Sequence, residues 1–307
     1  MCYSGGMVKK TTKATNTKKT TKTTAAKSKN TVAVTKKVAA KKVTTSAPAK
    51  KLTAATLYTW NKWLALLYAA QGVAILMAGA TYSLPITTSF LTKDTFTSKA
   101  GETPVLAPAI RHLFDLNLVY VVAAFLFVAA IAHIIYATIY RDRYERELAV
   151  RVNRARWAGF GITGAVMVLV ISVIVGIQDI SLLVSLTGLI LIASLSGLAI
   201  EVYSRGTPRR RLPYVTAWIA CALPWLAIGT FLLNANIYGS GNIPTYVYGI
   251  VISIFILFIG FALNTYYQYK SRGKWADYLY GERINSILLF IAASALAWQV
   301  FAGVLLP

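Results

Sequence analysis

"LLFIAASALAWQVFAGVL", Leu288 to Leu305, runs for eighteen residues without a single charge. As a helix rising roughly 1.5 Å per residue, that segment nearly crosses the hydrocarbon core of a bilayer. A helix also satisfies its own backbone hydrogen bonds where no water is present. Six earlier blocks have the same character. The spans read as roughly 57–82, 112–139, 157–177, 181–203, 212–233, 244–269 and 284–306. The fold class expected is an all-α integral membrane protein built as a seven-helix bundle over residues 56–307. No internal repeat is evident, so the paired halves of many transporters are not suggested.

Composition supports the same class. Hydrophobic residues make up 56% of the 307-residue chain and charged residues only 14%, against about 25% in ordinary soluble domains. The net charge of +22 resembles that of a nucleic-acid binder until its placement is read. Fourteen lysines fall between Lys9 and Lys51, in a stretch with no acid. That stretch is Lys, Thr and Ala with few large apolar side chains, so residues 1–55 are expected to be a disordered tail. It lacks the apolar core of a signal peptide, and Met7 offers a second possible start.

The short loops set the expected orientation. The loops after the second, fourth and sixth spans carry fourteen Lys and Arg: Arg141 to Arg156, Arg205 to Arg211, and Lys270 to Arg283. The opposite loops carry three, Lys93, Lys99 and Arg111. This bias puts the amino terminus in the cytoplasm and the carboxyl terminus outside the cell membrane. The tail then lies beside the inner leaflet, where each Lys gains about 1 kcal/mol near anionic headgroups. Anionic lipid is its expected partner, ahead of a spacer role or an unknown cytoplasmic partner, and nucleic acid is disfavoured.

Polar residues within the spans are few, and each is a functional suspect by default. Glu201, near the cytoplasmic end of the fourth span, is expected to pair with the Arg205–Arg211 cluster. His133 reads as a hydrogen-bonded core histidine, and Gln71, Asn264 and Gln299 as bonds between helices. Asp115 and Asp179 fall at external ends. Cys2 and Cys221 show neither disulfide nor metal spacing, and Cys221 reads as a small core residue. No metal site is expected, since His112 and His133 lack helical zinc spacing. No close carboxylate pair or phosphate-cradling loop points to an enzyme, and a pump would need a relay of acids that is not apparent.

Several motifs together resemble the heliorhodopsins, microbial rhodopsins of inverted topology. They are "WNKWLALLYAAQGVAILM" from Trp60, "YSLPITTSF" from Tyr82, "NRARW" from Asn153, "LPWLAIG" from Leu223, "VYGIVISIF" from Val247, "FALNTYYQY" from Phe261, and the ending "GKWADYLYGER" followed by "LAWQVFAG". The resemblance spans residues 57–307. It implies a rhodopsin-like bundle, often a homodimer, that senses or signals and does not pump, with retinal linked to a lysine of the last helix.

Aligned on "LAWQVFAG", the family lysine falls at Ala293, and no lysine follows Lys274. The family's counterion glutamate falls at Gly159, its serine one turn before the lysine at Leu289, and its first-helix histidine at Tyr68. His133, Glu201, Phe258, Pro224, Trp225, Trp298 and Gln299 match. The losses gather at the Schiff base, so no covalent cofactor is expected. Three functions follow as expectations. The first is a retinal-free signalling or scaffold protein. The second is a non-covalent binder of retinal, carotenoid or lipid in a residual pocket of Phe160, Met167, Trp225, Phe258, Leu289 and Trp298, with Tyr248 also near the vacated space. The third is a channel or transporter.

Overall fold

The computed structural model describes residues 54–96, 101, 103–203, 211–239 and 241–306. The lysine-rich tail, both candidate starts, Lys99, and Arg205, Arg209 and Arg210 lie outside the described residues. The described residues belong to one compact unit, Lys50–Pro307. Its helices are α1 (Ala54–Ala78), α2 (Leu118–Ala137), α3 (Arg141–Ala149), α4 (Arg154–Val175), α5 (Ile180–Tyr203), α6 (Arg211–Tyr238), α7 (Thr245–Lys270) and α8 (Tyr278–Val300). A π-helical turn, Phe301–Leu305, extends α8.

Among the described residues, six helices are long and apolar enough to cross a membrane: α2 and α4 to α8, the last with its π turn. α1 is 25 residues long but carries Asn61, Lys62 and Gln71 and is not one of the six. The chain is a mostly helical membrane protein. Its helices stop where local chemistry stops them. Asn117 caps α2 by accepting from Val119 N at 3.1 Å, and Asp277 caps α8 by accepting from Leu279 N at 3.0 Å. Gly176 ends α4 at φ 104°, a left-handed conformation that costs a glycine little.

α4 is the most buried of the spans. It packs against α2, α5, α6, α7 and α8. Around it the other helices pair as neighbours: α1 with α2, α5 with α6, α7 with α8, and α8 back onto α1. α6 and α7 are joined through large side chains: Tyr214 packs on Tyr266 and Tyr269, and Trp225 on Phe255 and Phe258. The far ends of α1 and α8 are tied by Ala80 N donating to Leu305 O at 2.7 Å.

Two elements differ from the sequence reading. Residues 83–117, read as a loop running into a span from 112, form an antiparallel hairpin of β1 (Ser83–Lys93) and β2 (Leu106–Asn117). Its register runs from Ser83 opposite Asn117 to Lys93 opposite Leu106, with an irregularity at Ile86/Thr87. The second helix therefore begins at Leu118. The stretch "SLPITTSFLTK" is rich in β-branched and aromatic residues that suit a pleated surface. Asp179 holds the hairpin to the bundle by accepting from Ser89 N (2.9 Å) and Oγ (2.7 Å), and it caps α5 by accepting from Ser181 N. The second addition is α3, a short amphipathic helix inside what read as a basic loop.

Candidate functional site

At the end of the bundle where the arginines gather, Arg156 is buried in the first turn of α4 between two carboxylates. Its Nη1 donates to Glu282 Oε1 of α8 at 2.5 Å and to Gln268 Oε1 of α7 at 2.8 Å. Its Nη2 donates to Glu201 Oε1 of α5. Asn153 completes the clamp: its backbone N donates to Glu201 Oε2 at 2.9 Å and its Nδ2 to Glu282 Oε2 at 2.5 Å. Both carboxylates thus have partners on both oxygens, and four helices meet on one guanidinium. The sequence reading pairs Glu201 with Arg205–Arg211. Most of that cluster lies outside the described residues; among the described residues the partner of Glu201 is Arg156, which shares its burial.

The positions assigned to the pigment lie deeper. Ala293 is fully buried on α8 and presents only a methyl group. Gly159 borders a cavity of about 40 Å³, together with Asn61, His133, Tyr136, Asn285 and Leu289. That volume admits a few waters at most. His133 is hydrogen-bonded through Nδ1 to Asn61 Oδ1 at 2.9 Å and stacks on the buried ring of Tyr68 at 5.6 Å. The Asn61 amide borders the cavity beside Tyr144. A Cβ built on Gly159 would meet only Tyr136 Oη, at 3.3 Å. The space around Ala293 is therefore packed, with a small polar void beside it.

The other end is open. A cavity of about 390 Å³ lies among α4, α5, α6 and α7. Phe160, Trp225 and Phe258 are brought together there, with Phe258 at 5.1 Å from Trp225 and 6.3 Å from Phe160, centroid to centroid. Met167, Leu289 and Trp298 do not join them. Met167 is packed in the core, Leu289 borders the polar void, and Trp298 is 42% exposed with its Nε1 donating to Gln71 Oε1 at 3.0 Å. Tyr248 also points elsewhere, donating to Asn236 Oδ1 at 2.5 Å. Cys221, read as a core residue, is only partly buried and lines the aromatic cavity.

A protein-family model for heliorhodopsins matches residues 57–305. The chain belongs to the heliorhodopsin family. No match was found among curated proteins.

Within this heliorhodopsin bundle the remaining span polars join helices. Asn264 Nδ2 donates to Gly281 O (3.1 Å), Trp275 Nε1 donates to Asn264 Oδ1 (2.7 Å), and Ser253 Oγ donates to Gln299 Oε1 (3.0 Å). Sequence reasoning missed Arg156, Glu282 and Asn153 as a site. By position along the chain Arg156 counts with the loop arginines, and Glu282 lies 126 residues away from it. Their signal is present in "NRARW" and "YGER", both of which carry the family resemblance.

Trp157 is the wall between this clamp and the aromatic cavity. It lines that cavity and also a polar one of about 410 Å³ beside Glu201. Gly197 of α5 lets it sit there, since a Cβ at Gly197 would collide with the indole. Outside the spans, Glu147 on α3 accepts from Arg154 Nη1 (2.6 Å), Tyr140 Oη (3.0 Å) and Arg143 Nε (3.2 Å). Burial disfavours its charge, but these donors outweigh burial and hold the carboxyl below its ordinary range. The stability it contributes is present above the ordinary carboxylate pKa of about 4.3 and is lost as pH falls through the lowered value.

Proposed function

We propose that this protein is a heliorhodopsin-family membrane protein without the covalent pigment, acting as a signalling or scaffold protein and not as an ion pump. The observation that carries the reading is Ala293, buried completely at the position the family resemblance gives to the retinal lysine, in a chain with no lysine after Lys274. The described lysines are Lys62, Lys93, Lys270 and Lys274, none of them on α8. A protonated Schiff base would also require an anion, and Gly159 supplies none. Purified protein given all-trans retinal should absorb as free retinal does and yield no covalent adduct on borohydride reduction. A visible band that reduction fixes to the chain would overturn the reading.

The proposed topology has α1 as a seventh span, the amino terminus in the cytoplasm and the arginine-bearing end on the same side. The fourteen-to-three bias of Lys and Arg between the two sets of loops supports it. In a background with Cys2 and Cys221 replaced, an impermeant thiol reagent applied to cells should label a cysteine placed at Gly241 and miss one at Gly206. The reverse pattern would refute this orientation. The tail is proposed to hold the anionic leaflet. A peptide of residues 7–51 should sediment with anionic vesicles at low salt and release as salt rises, and an unbound peptide at low salt would count against that role.

A second reading, non-covalent binding of an apolar ligand, is favoured by the cavity of about 390 Å³ among α4, α5, α6 and α7. That volume is within the range of roughly 300–1,000 Å³ typical of ligand sites. The charged groups at the arginine-bearing end are engaged with one another on both carboxylates, and this suits a fixed clamp better than a conducting path.

A further inference from the structure

The polar cavity of about 410 Å³ beside Glu201 lies at the end of the bundle where the arginines gather. Its floor is buried: Arg156 and Trp157 of α4, with Gly197 and Ile200 of α5. Its rim is exposed and belongs to the chain just outside the spans, with Val150 and Arg151 before α4 and Ala276 after α7. It therefore opens past the helix ends to water, and a ligand would enter from water and not from lipid.

Charge is placed unevenly across this space. On the floor side the clamp sets one guanidinium against two carboxylates, and neither Glu201 nor Glu282 pairs with a second cation among the described residues. The buried cluster is thus left with an excess of negative charge. At the rim Arg151 is exposed, and no carboxylate among the described residues pairs with it. Arg272 and Lys274 flank the lining residues Ser271 and Trp275 in the chain and add positive charge there. A field that runs from a negative floor to a positive rim orients a molecule carrying both charges. A simple anion would meet the carboxylates, and a simple cation would leave the arginine rim unanswered.

The backbone singles out the same place. Among the described residues two non-glycine residues have left-handed backbone, Arg151 at φ 58° and Ser271 at φ 48°, and both line this cavity. Such conformations are unfavourable for a side-chain-bearing residue and gather at ligand sites.

We propose that this cavity binds a small zwitterion, an α-amino acid with an apolar or aromatic side chain, its ammonium donating to Glu201 and its carboxylate facing Arg151. Glu201 accepts from Arg156 and from Asn153 N, and a carboxylate has about four acceptor positions, so it can take another donor. Trp157, Tyr269, Trp275 and Tyr278 give the side chain aromatic walls. The volume is within the roughly 300–1,000 Å³ of small-molecule sites. The site is distinct from the aromatic cavity and from Ala293, and it stands whether or not retinal binds.

Three probes separate the charges: L-phenylalanine, 2-phenylethylamine, which lacks the carboxylate, and 3-phenylpropionate, which lacks the amine. Each is titrated onto the full chain in nanodiscs and followed by tryptophan fluorescence, since Trp157 and Trp275 line the site. L-phenylalanine should give a saturable response and 3-phenylpropionate none. Losing the carboxylate should weaken binding about 2- to 5-fold, the worth of an exposed ion pair. Arg151→Gln should weaken L-phenylalanine by the same factor and leave 2-phenylethylamine unchanged. Glu201→Gln should weaken both amines about 10-fold or more, as expected of a charge-assisted hydrogen bond. That variant also alters the clamp, so its fold is checked by circular dichroism, and the three probes on wild type decide the matter if it unfolds. No saturable response to L-phenylalanine would overturn the site. Binding of 3-phenylpropionate as tight as that of L-phenylalanine, or equal affinity in wild type and folded Glu201→Gln, would overturn the ammonium position. An equal loss of both amines in Arg151→Gln would overturn the carboxylate position, because a merely structural change moves both.

Discussion

Protein carrying Ala293→Lys and Gly159→Glu together should turn coloured with all-trans retinal, whereas Ala293→Lys alone should give an imine absorbing in the near ultraviolet. The single change places an amine where Ala293 is now fully buried among apolar side chains. An imine formed there would hold its proton poorly, because burial disfavours the charged form. The carboxylate introduced by Gly159→Glu supplies the missing anion. Room for its first carbon exists, since only Tyr136 Oη lies within contact of a Cβ built there, at 3.3 Å. The void of about 40 Å³ next to it is lined by the amides of Asn61 and Asn285, so the carboxylate has polar groups to meet. Leu289 borders the same void one turn before Ala293, and adding Leu289→Ser should raise pigment yield by relieving the packing. A visible band in the single variant would show that Glu201 or Glu282 serves as counterion and that Gly159 has been misassigned. A colourless triple variant with no reducible adduct would show the lysine end to be closed to a chromophore altogether.

The two ends of the space that the family resemblance gives to the pigment differ in how far the sequence declares them. Long charge-free runs such as Leu288–Leu305 declare membrane helices, because an apolar block of that length has few other stable states. The lack of any lysine after Lys274 is equally legible, since a lysine is present or absent in the letters themselves. Which apolar residues would enclose space was not legible. Phe160, Trp225 and Phe258 converge while Met167 and Trp298 do not, and that follows from how the helices rotate against one another. The hairpin is hidden in the sequence because its eleven- and twelve-residue strands mix polar and apolar residues without strict alternation. Its second strand then runs straight into the apolar start of α2.

Arg156 is the residue whose role the letters conceal most, and replacing it should have the largest effect on stability. Counted by loop position it is one of the fourteen basic residues on which the proposed orientation rests; in three dimensions it is the common partner of Glu201, Glu282 and Gln268. Arg156→Met would leave two buried carboxylates facing each other across α5 and α8 without a cation. Removing one member of a buried charge network costs about 3–5 kcal/mol, which corresponds to an apparent Tm lower by roughly 6–20 °C for a domain of this size. The triple variant Arg156→Met, Glu201→Gln, Glu282→Gln removes every charge at once. It should recover most of that loss, because replacing a whole buried ion cluster by neutral groups is often close to neutral. Thermal unfolding of the detergent-solubilised proteins, followed by tryptophan fluorescence, separates the cases. A single variant within about 1 kcal/mol of wild type would mean that water reaches the carboxylates from the cavity beside Glu201, and the clamp would then behave as a solvated surface pair. A triple variant as unstable as the single one would mean that Asn153 and Gln268 depend on the charges for their own positions, so that the network holds the helix ends by hydrogen-bond geometry more than by charge balance.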